Sequence, residues 1–301
     1  MFDTHCHLNF SRFKKNFPEV IQRAKEAGID QIVVPGTDVE SSKKAVEIAE
    51  RYEGVWAAVG VHPHHVYELN VERGTSQPKA DEILAKNVKI ILYEIEKLLS
   101  HPKVVAVGEV GVDRHTYEET KYETYNVEES FIDLQKELLR EQIKLAVKYK
   151  KSLILHNREA KIDLLEELNE VWDSNLEGRT VFHCCESDTV GTGRDLSLLD
   201  YAIEKKIYIG VDGDITYDLP ESIKKKEFIK KVPLEMLVLE TDSPFLLPEP
   251  LRTKKEYPNE PKNLTFIATY VAELKGMSVE ELAKQTTKNA KRLFNISSSS
   301  W

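Results

Sequence analysis

Val55-Trp56-Ala57-Ala58-Val59-Gly60-Val61-His62 is a run with no polar face until its last residue. Side chains on a strand alternate between faces, so an apolar run of this kind reads as a strand buried on both sides. Such strands belong to parallel sheets covered by helices. The same beat repeats outward from it. Upstream lie a strand from Gln31 to Thr37 and a helix from Val39 to Tyr52. Before them, Phe17, Val20, Ile21, Ala24 and Ala27 recur at helical spacing over Asn16 to Gly28, with Gly28 as the stop.

Downstream, the spacing predicts a helix ending near Ser100, strand Val104 to Val112, helix Glu128 to Tyr149, strand Ser152 to His156 and helix Ala160 to Trp172. Strand Thr180 to His183, helix Leu196 to Glu204, strand Ile207 to Val211, helix Glu221 to Lys230 and strand Met236 to Glu240 follow. With the strand that opens the chain this makes eight strands, each followed by helical sequence. Eight such units in about 250 residues favour a closed (β/α)8 TIM barrel over an open doubly wound sheet. An α/β barrel over residues 1–295 is therefore expected, with an excursion between His64 and Leu84 after the third strand. Two extra C-terminal helices, Lys262 to Leu274 and Ser278 to Phe294, finish the ring. Ser278 with Glu281 has the form of a capping box, and residues 296–301 read as a frayed tail.

A hydrophobic fraction of 41% and a charged fraction of 31% fit a soluble globular protein. No apolar run approaches the ~20 residues of a membrane span, and the start of the chain lacks the form of a secretion signal. The net charge of −9 argues against holding long nucleic acid by bulk attraction, so a polyanionic substrate has to be met locally. Three cysteines, two of them adjacent at Cys184 and Cys185, point to a reducing, cytoplasmic setting. No obligate protein partner is evident, and the lack of a glycine-rich phosphate cradle leaves nucleotide-triphosphate chemistry unsupported.

Active sites of such barrels lie at the C-terminal ends of the strands. There the first strand has His5 and His7, which alternation puts on one face with Cys6 on the other. The third ends in His62, the fourth in Glu109 and Asp113, the fifth in His156 and Arg158, the sixth in His183 and the eighth in Glu240 and Asp242. Five of the nine histidines thus fall at strand ends. Singly each could be a capping, pairing or satisfied core residue. Jointly, so many ionisable groups converging on one mouth would be costly to desolvate, and a metal resolves the cost. His5, His7, Glu109, His156, His183 and Asp242 are too many ligands for one catalytic zinc, so two ions sharing a bridging carboxylate fit better. Zinc, manganese or, with added oxygen ligands, magnesium suits the set.

Six ordered segments resemble the TatD-related metal-dependent hydrolases, a branch of the amidohydrolase-like barrels. They are Asp3-Thr4-His5-Cys6-His7-Leu8, Gly60-Val61-His62-Pro63, Gly108-Glu109-Val110-Gly111-Val112-Asp113, Leu155-His156-Asn157-Arg158, Phe182-His183-Cys184 and Leu239-Glu240-Thr241-Asp242-Ser243-Pro244. The resemblance implies one ion on His5, His7, Glu109 and Asp242, and a second on Glu109, His156 and His183. It also implies a deoxyribonuclease of 3′-to-5′ exonuclease type, with Glu109 and Asp242 as catalytic carboxylates. Deacylase activity on the same scaffold is the alternative, and a catalytically idle binding barrel is a third reading. Asp242 would help deprotonate the attacking water, while His62 and Arg158 would contact substrate, His62 as a donor and not a ligand. Asp113 would brace a ligand.

The chain departs from the family pattern at Cys185-Glu186-Ser187-Asp188, at Val211-Asp212-Gly213-Asp214 and at Arg114-His115. The added carboxylates Glu186, Asp188, Asp212 and Asp214 are expected to repel a phosphate backbone, which keeps the deacylase reading alive. His64 and His65 are expected to be solvated, as is the lysine face Lys224-Lys225-Lys226 with Lys230-Lys231. Tyr117, Tyr122 and Tyr125 are expected in a surface loop, with base stacking as the other possibility.

Overall fold

The structure, a computed structural model, describes residues 1–14, 16–67, 69, 80–118, 125–185 and 198–296. Eight parallel strands form one sheet in chain order: β1 (Phe2–Asp3), β2 (Gln31–Pro35), β3 (Val55–Val59), β4 (Val104–Asp113), β5 (Ser152–Arg158), β6 (Thr180–Phe182), β7 (Tyr208–Val211) and β8 (Leu237–Leu239). The last strand returns to the first. Thr4 donates its N–H to the Leu239 carbonyl (3.1 Å), Asp242 to His5 (2.9 Å) and His7 to Ser243 (2.7 Å). The chain therefore forms the (β/α)8 TIM barrel expected of it.

Every residue of β2 and of β4 is buried, as strands covered on both faces must be. One interior residue or more from each strand (Phe2, Val33, Ala58, Ala106, Ile154, Val181, Tyr208, Val238) fills the barrel axis. Ala290, Leu293 and Phe294 of the last helix pack against that layer. They seal one end, and the functional residues gather beyond the other. The helices start where their caps dictate. Asp38 and Ser41 form a reciprocal box ahead of Val39–Arg51, and Ser278 and Glu281 do the same ahead of Val279–Leu293.

Two strands fall clearly short of their expected ends. β3 stops at Val59 and not at His62, because Gly60 lies against β4, where a Cβ would come within 2.9 Å of Val110 Cγ1. The backbone then turns inward, and His62 N–H reaches the Thr37 carbonyl (2.8 Å). The regular ladder of β1 ends at Asp3, and Cys6 continues it only as an isolated bridge to Ser243. Most of the excursion after β3 lies outside the described residues, as do Tyr122, Glu186, Asp188 and tail residues 297–301. Among the described residues no helix is long and apolar enough to cross a membrane.

Candidate metal centre

Glu109 sits at a register irregularity of β4, where pairing with β5 shifts between Val107 and Val110. Such bulges re-aim a side chain. Gly108 makes room beside it, since a Cβ there would stand 2.6 Å from Ile154 Cβ. The carboxylate points into the mouth and its two oxygens face different partners. Oε2 lies 3.2 Å from His5 Nε2 and 3.6 Å from His7 Nε2. Oε1 lies 2.8 Å from His156 Nδ1, 3.5 Å from His62 Nε2 and 3.6 Å from His183 Nε2. Asp242 Oδ1 completes the first side, 3.4 Å from His7 Nε2, 3.8 Å from His5 Nε2 and 4.0 Å from His183 Nε2. Asp242 has φ +49°, a left-handed turn that an aspartate tolerates better than most residues.

The donor set suits divalent cations. Bonds of ~2.1 Å at tetrahedral angles hold ligand atoms about 3.4 Å apart, and these spacings straddle that value. His5, His7 and Glu109 each offer an atom within 4.8 Å of the others, as do His62, Glu109 and His156, and His5, His183 and Glu240. His5 Nδ1 and His7 Nδ1 are buried with no hydrogen-bond partner among the described residues, while their Nε2 atoms approach to 3.2 Å. Two imidazole nitrogens aimed at one spot beside two carboxylates form a donor set of the kind that holds a divalent cation.

Neighbouring carboxylates set the charge and tautomer of the rings. His183 shares a hydrogen bond with Glu240 through Nδ1 (3.0 Å), leaving Nε2 to face Glu109. Burial lowers its pKa, but Glu240 and Glu109 raise it more, to about 10. His156 contacts Asp113 through Nε2 (3.0 Å) and Glu109 through Nδ1, and these bonds outweigh burial to bring it to about 9. A cation held at these nitrogens would take the place of a proton. Burial raises the pKa of Glu109, yet His62, His183 and His5 hold it well below the ordinary range. His62 is lowered, by burial and then by His156, and its Nδ1 accepts from the His64 N–H (3.0 Å). Neutral His62 therefore carries its proton on Nε2, aimed into the mouth.

The remaining predicted residues lie on the rim or behind the set. Asp113 is buried and accepts from His156, from Tyr117 Oη (2.7 Å) and from the His115 N–H (2.8 Å). Arg158, two residues past His156 on β5, rests its guanidinium over the Tyr117 ring (5.1 Å) and donates to Tyr117 Oη (3.3 Å).

Two supporting carboxylates stand within the quoted segments but receive no role from the sequence reading. Glu240 accepts from His183 and also from the Cys184 N–H (2.6 Å). Asp3 accepts from the His5 N–H (3.3 Å) and from both the N–H (3.0 Å) and the hydroxyl (2.7 Å) of Thr241. The signal was available, since alternation puts Asp3 on the face of His5 and Glu240 on the face of Asp242.

Three expectations are corrected. His64 is half-buried in the turn Pro63–Val66, packed against Tyr117 (4.7 Å) and Tyr125 (4.8 Å), and His65 is half-buried beside it. Tyr117 and Tyr125 lie in irregular backbone as expected, but they are half-buried in that same aromatic cluster and not displayed at the surface. Lys225 is 4% exposed and puts Nζ 3.1 Å from Asp212 Oδ2 and 2.5 Å from Asp214 Oδ1. Helical spacing explains it: Lys225 shares the buried face of Pro220–Lys231 with Ser222, Phe228 and Ile229. Among the described residues, the mouth beside β7 thus carries two carboxyl groups and one ammonium, not an uncompensated acidic pair.

A family model described as TatD related DNase matches residues 2–295. The chain is 35% identical to the uncharacterized metal-dependent hydrolase YabD of Bacillus subtilis, over 98% of this chain and 99% of that one. It is 31% identical to the 3'-5' ssDNA/RNA exonuclease TatD of Citrobacter koseri, over 98% and 99%. Among solved structures, YJJV, a TatD homolog from Escherichia coli K12, superposes with a TM-score of 0.76 at 29% identity, over 99% of this chain and 98% of that one.

Proposed function

Because the chain belongs to the TatD-related DNase family and is with its relatives a metal-dependent hydrolase, we propose that it hydrolyses phosphodiester bonds of single-stranded nucleic acid, DNA foremost, from the 3′ end. The observation that carries the reading is the division of Glu109, with Oε2 toward His5 and His7 and Oε1 toward His156 and His183. One carboxylate so placed suits two divalent ions, the first on His5, His7, Glu109 and Asp242, the second on Glu109, His156 and His183. Zinc or manganese fits this imidazole-rich set better than magnesium. Bound there, the ions supply Lewis acidity that lowers the pKa of water and offsets charge on phosphoryl oxygens.

The chain's own residues do the rest. Asp242, the most exposed of the carboxylates around the histidines at 14%, accepts the proton of the attacking water. His62 Nε2–H donates to a phosphoryl oxygen as charge builds on it. Arg158, held by Tyr117 at the rim, takes a phosphate oxygen of the incoming strand. Asp113 and Glu240 fix the rings of His156 and His183. The amide or ester alternative drew on an acidic mouth, and Lys225 between Asp212 and Asp214 weakens that motive. A cytoplasmic setting agrees with the three free cysteines.

The test is cleavage of a 5′-labelled single-stranded oligonucleotide by divalent-loaded protein. Progressive 3′ shortening is expected, stopped by a chelator and reduced at least about 100-fold in Asp242→Asn and Glu109→Gln. Activity that persists in chelator, or in Glu109→Gln, overturns the proposal.

A further inference from the structure

Phe245 is an apolar side chain at the rim that the chemistry above does not use. It is 46% exposed, three residues past Asp242, with its ring centroid 6.4 Å from that of His7. The Phe245 and Phe10 rings stand close to perpendicular, with centroids 6.0 Å apart at 76°, and Phe10 in turn lies nearly parallel to His7 at 4.3 Å. The backbone beneath is held firmly. The Phe245 N–H bonds the Asp242 carbonyl (2.9 Å), and buried Asn259 donates to the Phe245 carbonyl (2.8 Å) and to Thr241 (2.9 Å). Isolated exposed apolar residues are common and need no explanation. This one is pinned to the turn that carries Asp242 and adjoins a ring of the candidate centre.

We propose that Phe245, backed by Phe10, is the stacking platform for the nucleobase next to the scissile phosphate. The inference rests on the nuclease reading and adds to it a recognition element for single strands. A π-face accepts any base, gives little sequence preference, and requires an unpaired base free to turn onto it. A phosphate drawn to the centre leaves its neighbouring base within reach of this rim, because a nucleotide's base and phosphate lie only a few ångströms apart. Phe245 is here a positioning residue: it orders the strand and touches no reacting atom.

A cycle that varies both the protein and the substrate tests the assignment. Phe245→Ala and Phe245→Trp are compared with wild type on an intact oligonucleotide and on two others, abasic at the terminal or at the penultimate 3′ nucleotide. Phe245→Ala is expected to raise KM about tenfold on intact DNA, with kcat within about twofold, and Phe245→Trp to leave KM nearly unchanged. On one of the abasic substrates wild type loses the same factor and Phe245→Ala adds nothing further. If removal of the ring and removal of the base multiply at both positions, or if Phe245→Ala leaves KM unchanged, no base stacks there and the assignment is wrong. Absence of any cleavage by wild type overturns the nuclease reading along with it, whereas cleavage with multiplying losses overturns the platform alone.

Discussion

Lys225→Met is expected to destabilise the fold far more than a change on a lysine-rich helix ordinarily does. The ammonium is 4% exposed and bridges Asp212, which is fully buried, and Asp214. Removing one member of a buried ion pair costs ~3–5 kcal/mol, because the charge left behind has neither water nor partner. Two features place this site near ~3 kcal/mol, at the lower end. Asp212 keeps the Asp214 N–H (3.0 Å), and the Asp214 side chain, 28% exposed, can hydrate. Urea unfolding at pH 7 measures the loss. Adding Asp212→Asn and Asp214→Asn to the methionine variant removes the stranded Asp212 charge and the buried carboxyl beside it and should return stability to within about 1 kcal/mol of wild type.

The pH dependence supplies a second check on the same variant. Burial raises the pKa of Asp212, but Lys225 and the hydrogen bonds from Asp214 and Cys184 hold it well below the usual carboxylate range. A carboxyl depressed by folding adds stability that is complete above about pH 4 and lost as pH falls through the folded value. Burial lowers Lys225, yet Asp212 and Asp214 push it well above its ordinary value. Its contribution is complete below about pH 10 and lost as pH rises through the raised value. Burial and then the Asp212 charge raise Asp214 to about 8 against the pull of Lys225, so near neutrality the charge stranded by the methionine is that of Asp212. The gap between wild type and Lys225→Met should therefore be widest near neutrality and shrink as acid protonates Asp212. A methionine variant within about 1 kcal/mol of wild type at pH 7, or a triple variant no more stable than the single one, would refute the reasoning.

Two further substitutions separate roles around the candidate centre. Asp113→Asn removes the charged acceptor behind His156 and should weaken divalent-ion affinity ~10–100-fold by calorimetric titration, with circular dichroism unchanged; equal affinity would remove Asp113 from that role. His62→Gln should lower kcat about 100-fold while ion content, read by mass spectrometry, stays at the wild-type level. A drop in bound ion would instead make His62 a ligand, which its tautomer argues against.

The barrel was legible because its strands are short apolar runs at regular intervals. The expected boundaries fall within a few residues of those seen, except where glycine lets the chain leave the ladder early, as after Val59. The companions of His183 and His5 were within reach of the same alternation, since Glu240 and Asp3 stand two residues from Asp242 and His5. Lys225 was hidden for a physical reason. A run of three lysines reads as solvated by composition, and only its phase against Phe228 and Ile229 turns the middle one inward. His64, Tyr117 and Tyr125 were misread because their burial comes from one another, across two loops whose approach no local pattern encodes.

Sequence by itself determined the alternation of strand and helix, the residue types at each strand end and the family to which the chain belongs. The first two follow from side-chain chemistry and periodicity, which are local, and the family from the resemblance of six ordered segments. Only the tertiary structure decided that Glu109 presents one oxygen to each group of histidines, that an ammonium sits between Asp212 and Asp214, and that Phe245 stands exposed beside His7. Each of these depends on barrel closure, a register irregularity and the packing of a helix against a strand end, which bring together atoms far apart along the chain.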